Sequence, residues 1–189
     1  MALSNDLSSF KDILDRSARP LFFFDNDCDG TCAFLQAWRY KKEGKGHPTG
    51  HALGTEHLKK VREYAPDLIV ALDIAVIDEE FVRGTQTPIL WLDHHPLQTK
   101  VHTHKNVTFI NPRVYDPSDG APTSSLVYHA IGNKDDLWIA AAGTVSDWHL
   151  GPVADLFAKT YPDLLDTKSK NAARVIYTTP LGKLIRIIT

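Results

Sequence analysis

The chain has little cysteine. Cys28 and Cys32 are the only two among 189 residues. Two thiols four apart, one inside an acidic motif, make a poor disulfide framework and lack the partners of a zinc site. A reducing cytoplasm is the expected setting. Long apolar runs are missing too, so no segment reads as a bilayer span and no membrane partner is expected. The start, M-A-L-S-N-D-L-S-S-F-K-D, lacks the basic opening and apolar block of a signal peptide. There is no internal repeat and no low-complexity tract. Nor is there an excess of basic residues, since the formal net charge is −2. That charge is unevenly spread. Residues 168–189 hold Lys168, Lys170, Arg174, Lys183 and Arg186 and no acid, so this segment is +5 and the remainder is −7. An acidic body repels a polyanion unless bound cations reverse the local field.

What is present is an ordinary globular composition, 43% hydrophobic and 23% charged, long enough for one domain with a substantial core. The most informative stretch is Leu21–Gly30, L-F-F-F-D-N-D-C-D-G. Its apolar run reads as a strand buried on both faces. Asp25, Asp27 and Asp29 follow at alternate positions and can line one wall of a site. Three close carboxylates repel one another unless something positive sits among them, and a divalent metal is the obvious candidate. A turn of solvated acids is the plainer alternative.

Helical spacing predicts a short amphipathic helix over Asn5–Arg16 and a helix over Thr31–Glu43 that starts right after the acidic turn. Gly44–Gly50 reads as a loop, Thr49–Leu53 as a short strand, Thr55–Tyr64 as a helix and Ile77–Arg83 as another. Asp67–Asp73, Pro88–Leu92 and Val107–Ile110 read as buried strands. Asn111–Ala121 is a loop rich in Pro, Asp and Gly, and Pro122–Ile131 and Asp135–Ser146 read as helices. Alternation of apolar strands with helices predicts an α/β fold: a mainly parallel sheet of about five strands with helices on both faces. Ligands of such sheets bind beyond the carboxyl ends of the strands. Asp25, Asp27, Asp29, Asp73 and Asp93-His94-His95 all fall at predicted strand ends.

Four motifs, D-N-D-C-D-G at 25–30, Asp73 in A-L-D, D-H-H at 93–95 and G-T-V-S-D at 143–147, stand in the order of the DHH phosphoesterase superfamily, which the chain resembles over about residues 20–150. Its members include RecJ-like nucleases, oligoribonucleases, cyclic-dinucleotide phosphodiesterases and type II pyrophosphatases. The three-Asp first motif is most similar to the RecJ-like branch, and Phe23 stands where the nanoRNase and pyrophosphatase branches more often carry a His.

The resemblance implies a two-metal phosphoesterase. Asp25 and Asp27 would hold one ion, Asp29, His94 and Asp147 the other, and Asp73 would bridge them. Carboxylates with imidazole suit Mn²⁺, with Mg²⁺ as the alternative. His95 would meet the substrate phosphate or the leaving oxygen, Asp93 would orient the histidines, and Arg113 would clamp a phosphate. At the start of the helix over Pro122–Ile131, Ser124 and Ser125 would donate to a phosphate through their N–H groups, or, on the plainer reading, Thr123 would only cap the helix. The implied activity is hydrolysis of single-stranded nucleic acid or short oligonucleotides, as in an Mn²⁺-dependent exonuclease of DNA repair. A non-catalytic scaffold subunit of a replication or repair complex and a small-molecule phosphatase or pyrophosphatase are the alternatives. Residues 1–150 form the DHH-type catalytic domain in this reading. Residues 151–189 form a basic extension, or the start of a linker to a second domain or a protein partner.

Overall fold

The computed structural model describes residues 2–97, 100–166 and 170–188. Helix α1 (Leu3–Arg16) leads into strand β1 (Pro20–Asp25), which feeds helix α2 (Cys28–Lys41) and strand β2 (Lys45–Thr49). Strand β3 (Ala52–Leu53), helix α3 (Leu58–Tyr64), strand β4 (Leu68–Leu72), strand β5 (Val76–Ile77) and helix α4 (Glu79–Arg83) follow. Strands β6 (Ile89–Leu92) and β7 (Val107–Ile110) complete the sheet before helices α5 (Thr123–Ile131) and α6 (Leu137–Ser146). Helices α7 (Pro152–Thr160), α8 (Ala172–Thr178) and α9 (Pro180–Ile188) end the described chain.

The main sheet has five strands in the order β2-β1-β4-β6-β7, all parallel. Apolar side chains alternate between its two faces. Phe22, Phe24, Val70, Leu72, Leu90 and Leu92 pack under α1, α2 and α5. Leu21, Phe23, Ile69, Ala71, Ile89 and Trp91 pack against α3 and α4 on the other face. Burial on both sides explains why these strands are apolar throughout. Strand order reverses between β1 and β4, and Phe24 lies opposite Leu72. Asp25 and Asp73 therefore emerge side by side at the switch point, where such sheets bind ligands.

Helix α6 is buried nearly all round, through Leu137, Ile139, Ala140, Ala141, Ala142 and Val145. A helix of that kind needs cover on every side. It packs against α2 and α5. Helices α7 to α9 add Val153, Phe157, Val175, Leu181 and Ile185 to the same cluster. The basic segment thus lies on the body through its apolar face; Lys168 falls outside the described residues.

Several element limits differ from the sequence expectation, each for a tertiary reason. Residues 45–49, expected as loop, form the edge strand β2, because β1 offers a free edge and Pro48 is tolerated there. The strand expected over 49–53 breaks at Gly50-His51, and Ala52–Leu53 pair with β5 in a separate two-stranded sheet. Val76 and Ile77 belong to that sheet, so the helix expected from Ile77 starts at Glu79. Residues 55–57 form a 3-10 turn before α3. Helix α2 starts at Cys28 rather than Thr31, with Asp27 as its N-cap.

That early start requires Gly30. A Cβ at this position would meet the Asp25 carbonyl oxygen at 2.5 Å and the Asp25 nitrogen at 2.9 Å. Gly30→Ala is expected to cost about 1–3 kcal/mol, because rigid backbone must move. Gly50→Ala, where nothing lies within 4 Å, should change stability by less than about 0.5 kcal/mol. Urea unfolding of both variants checks this, and equal stability of the two would contradict the close approach.

Candidate metal centre

The first acidic motif builds a strand-to-helix turn with an Asp at each stage. Asp25 ends β1, Asp27 caps α2 by accepting from the Gly30 N–H at 2.9 Å, and Asp29 lies in the first helical turn. Asp73 follows β4 with φ of 61°. That left-handed backbone is unusual outside glycine, though Asp tolerates it better than most, and it marks a position held by its surroundings. Asp93, His94 and His95 leave the end of β6, and Asp147 is the C-cap residue of α6.

These ends converge. Three groups of side chains bring their ligand atoms within 4.8 Å of one another: Asp25, Asp27 and Asp73; Asp73, His94 and His95; and Asp29, His94 and Asp147. Asp73 and His94 each belong to two groups. His94 Nε2 lies 3.4 Å from Asp73 Oδ1 and 3.6 Å from Asp147 Oδ2. Asp25 is only 1% exposed, and neither of its oxygens has a hydrogen-bond partner; buried His94 Nδ1 has none either. A buried carboxylate without a donor costs roughly 1–3 kcal/mol or more. A cation would satisfy it, so the donor set fits a divalent metal.

The same architecture occurs in solved structures. RecJ from Thermus thermophilus, in complex with Mn²⁺, matches with a TM-score of 0.68 at 14% identity, over 98% of this chain and 34% of that one. Exonuclease RecJ bound to manganese matches with a TM-score of 0.62 at 13% identity, over 100% of this chain and 60% of that one. The DHH domain of a protein described as a member of a ribosomal-protein family matches with a TM-score of 0.70 at 12% identity, over 98% of this chain and 51% of that one. The fold is that of a RecJ-like DHH domain. The chain spans about a third to three fifths of these longer chains. No protein-family model matches it, and no curated protein matches its sequence.

Within this DHH fold the residues around the clusters differ in part from the sequence expectation. Thr123 does not cap α5; its Oγ1 donates to Asp73 Oδ1 at 2.8 Å. The Thr123 and Ser124 N–H groups donate to Asp29 at 2.7 and 3.1 Å, and the Ser124 hydroxyl donates to Asp29 as well. The N-terminus of α5 therefore holds a carboxylate of the protein rather than a phosphate, as a helix start can for any anion. Ser125 is buried, and its carbonyl accepts from His129.

Asp93 meets His95 rather than His94. Its carboxylate accepts from the His95 ring Nδ1 at 2.7 Å, the His95 N–H at 3.0 Å and Asn111 Nδ2 at 3.2 Å. Arg113 turns to the backbone, with Nε donating to the His94 carbonyl at 2.7 Å and Nη1 to the Pro117 carbonyl at 2.7 Å. Three participants were missed in the sequence. In the sequence Asn111 reads as the start of a loop and Thr123 as a cap, and His51, whose ring lies against Asp25, has no motif around it. Only the density of polar residues just after β7 and before α5 hinted at the first two.

Burial and mutual repulsion push Asp27, Asp29 and Asp147 above the usual carboxylate range, Asp29 furthest, with the like charge of Asp73 adding most to the effect of burial there. For Asp73 burial acts upward too, but the hydrogen bond and charge of His94 outweigh it and hold the group low. Burial pulls His94 down, yet the hydrogen bond and charge of Asp73, with Asp29 and Asp147, raise it to about 9. In the metal-free protein His94 thus stands as the cation among the carboxylates. A metal ligand must be neutral imidazole, so metal binding has to expel that proton.

Mn²⁺ binding near pH 7 is accordingly expected to release protons, and to tighten as pH rises toward about 9. Titration calorimetry in buffers of different ionisation heat reads both effects. A buffer-independent heat with flat affinity would contradict the charge assignment.

Proposed function

We propose that the chain is a divalent-metal-dependent phosphodiesterase that hydrolyses single-stranded nucleic acid or short oligonucleotides, with Mn²⁺ as the preferred ion and Mg²⁺ as the substitute. The observation that carries this reading is the sharing of Asp73 and His94 between adjacent ligand groups at the sheet's switch point. Asp25 and Asp27 would hold one ion, Asp29, His94 and Asp147 would hold the other, and Asp73, within reach of Asp25, Asp27 and His94, would serve between them. Two ions about 4 Å apart supply activation of an attacking water and neutralisation of charge at phosphorus. An imidazole in the set favours Mn²⁺. The likeness to RecJ structures described with Mn²⁺ supports the ion and the substrate class.

The remaining chemistry belongs to the protein. Asp93 anchors His95 through Nδ1, which leaves Nε2 to face a phosphoryl or leaving oxygen. The same hydrogen bond raises His95 above its ordinary value, against burial, so the ring keeps a proton to donate. Arg113 fixes the His94 backbone through Nε and reaches the Pro117 carbonyl through Nη1, and its remaining N–H donors could meet a substrate phosphate. Thr123 and Ser124 fix the carboxylates of Asp73 and Asp29. Bound cations offset the acidity of the body toward a polyanion.

End-labelled single-stranded DNA, RNA and dinucleotides, digested side by side, test the proposal. Chelation should abolish hydrolysis and Mn²⁺ should restore it. Asp73→Asn keeps the shape and the tolerance of a left-handed backbone, yet should lower the rate by more than about 100-fold. Undiminished cleavage by that variant would overturn the reading. Asp93→Asn should lower the His95 pKa, because the charge that raises it is gone. The basic limb of the pH–rate profile should then move to lower pH, and an unmoved limb would remove His95 as proton donor.

A further inference from the structure

The group of Asp25, Asp27 and Asp73 contains oxygen donors only. Beside it stands an imidazole outside the motifs. We propose that His51 is a ligand of the ion held by Asp25 and Asp27, and supplies its nitrogen donor. The proposal rests on the metal reading above and adds a residue to it.

The sheet places His51 there. Strand β2 runs parallel to β1 with Thr49 opposite Asp25, so the residues after Thr49 rise over the carboxyl end of the sheet. Gly50 is exposed and lets the chain turn. The His51 carbonyl accepts from the Val76 N–H at 3.1 Å, and Ala52–Leu53 then pair with β5. The backbone is thus pinned on both sides of His51 by pairing with β1 and β5.

The ring is where a ligand would be. His51 Nδ1 lies against Asp25 Oδ2, and the ring centroid is 6.5 Å from that of His95. Yet the contact lacks hydrogen-bond geometry, since both Asp25 oxygens are without a partner. The ring nitrogen and the Asp25 oxygen face each other with no hydrogen bond between them, and one cation beside them would satisfy both as donors. Packing does not account for the position, because the His51 side chain is 75% exposed while Asp25 is 1% exposed. An orphaned buried carboxylate aimed at an imidazole is the geometry that a metal completes.

The consequence is ion selectivity. A nitrogen donor adds affinity for Mn²⁺ over Mg²⁺, which takes oxygen ligands and keeps water. Calorimetric titration of the full chain with MnCl₂ and, separately, MgCl₂ compares the wild type with His51→Ala. Two Mn²⁺ should bind the wild type. The variant should hold one Mn²⁺ unchanged and the other at least about 10-fold more weakly, with the Mg²⁺ affinity of that site falling much less. The side chain is exposed, so the substitution leaves the core untouched. Unchanged Mn²⁺ binding by the variant would overturn the role of His51 and leave the metal centre standing. Equal weakening of both ions would make His51 a positioning partner of Asp25 and overturn ligation. Absence of Mn²⁺ binding by the wild type would defeat the metal reading itself, and this proposal with it.

Discussion

Carboxylates crowded at low exposure need a positive charge among them. Asp25, Asp29, Asp73 and Asp93 are each 2% exposed or less, and Asp27 and Asp147 stand beside them. Burial pushes Asp27, Asp29 and Asp147 toward their neutral forms, and the neighbouring carboxylates add to the push. His94 answers part of that demand with its own proton. The rest is left open at Asp25, whose oxygens have no donor. The site is therefore built around cations, and the surrounding structure can be understood as the means of keeping it so.

The sheet brings the acids together by topology. Reversal of strand order between β1 and β4 sets Asp25 and Asp73 side by side, and β6 delivers Asp93, His94 and His95 next to them. Helix packing then fixes the second ring of contacts. Gly30 lets α2 touch β1, and Gly143 lets α6 approach the Ser124 side chain, where a Cβ would meet Oγ at 2.5 Å. Ser124 in turn donates to Asp29. The apolar cluster of α6 with α7 to α9 lies behind that contact, so residues far from the acids stabilise the wall on which Asp29 stands.

Much of this was legible in the chain, and the reasons are local. Phe22, Phe23 and Phe24 run directly into Asp25, which announces a buried strand ending in a carboxylate. Apolar β4 and β6 announce the same for Asp73 and Asp93. Strand β2 was not legible, because Lys45-Gly46-His47-Pro48-Thr49 lacks a strand pattern and pairs only through the free edge of β1. The bond from Thr123 to Asp73 spans 50 residues, while the local sequence says only that a helix begins. The two bonds of Arg113 to the His94 and Pro117 carbonyls were not legible either, because both are made to backbone that only the fold brings near. His51 lies between two short strands in a Gly-rich stretch, and only the parallel register reveals what it faces.

In the proposed site two ions would share the Asp73 carboxylate. Electron paramagnetic resonance of the protein loaded with two equivalents of Mn²⁺ tests it most directly. The expected spectrum is that of an exchange-coupled Mn²⁺ pair, converting to that of isolated ions in Asp73→Asn. A wild-type spectrum of isolated Mn²⁺ at full loading would contradict it.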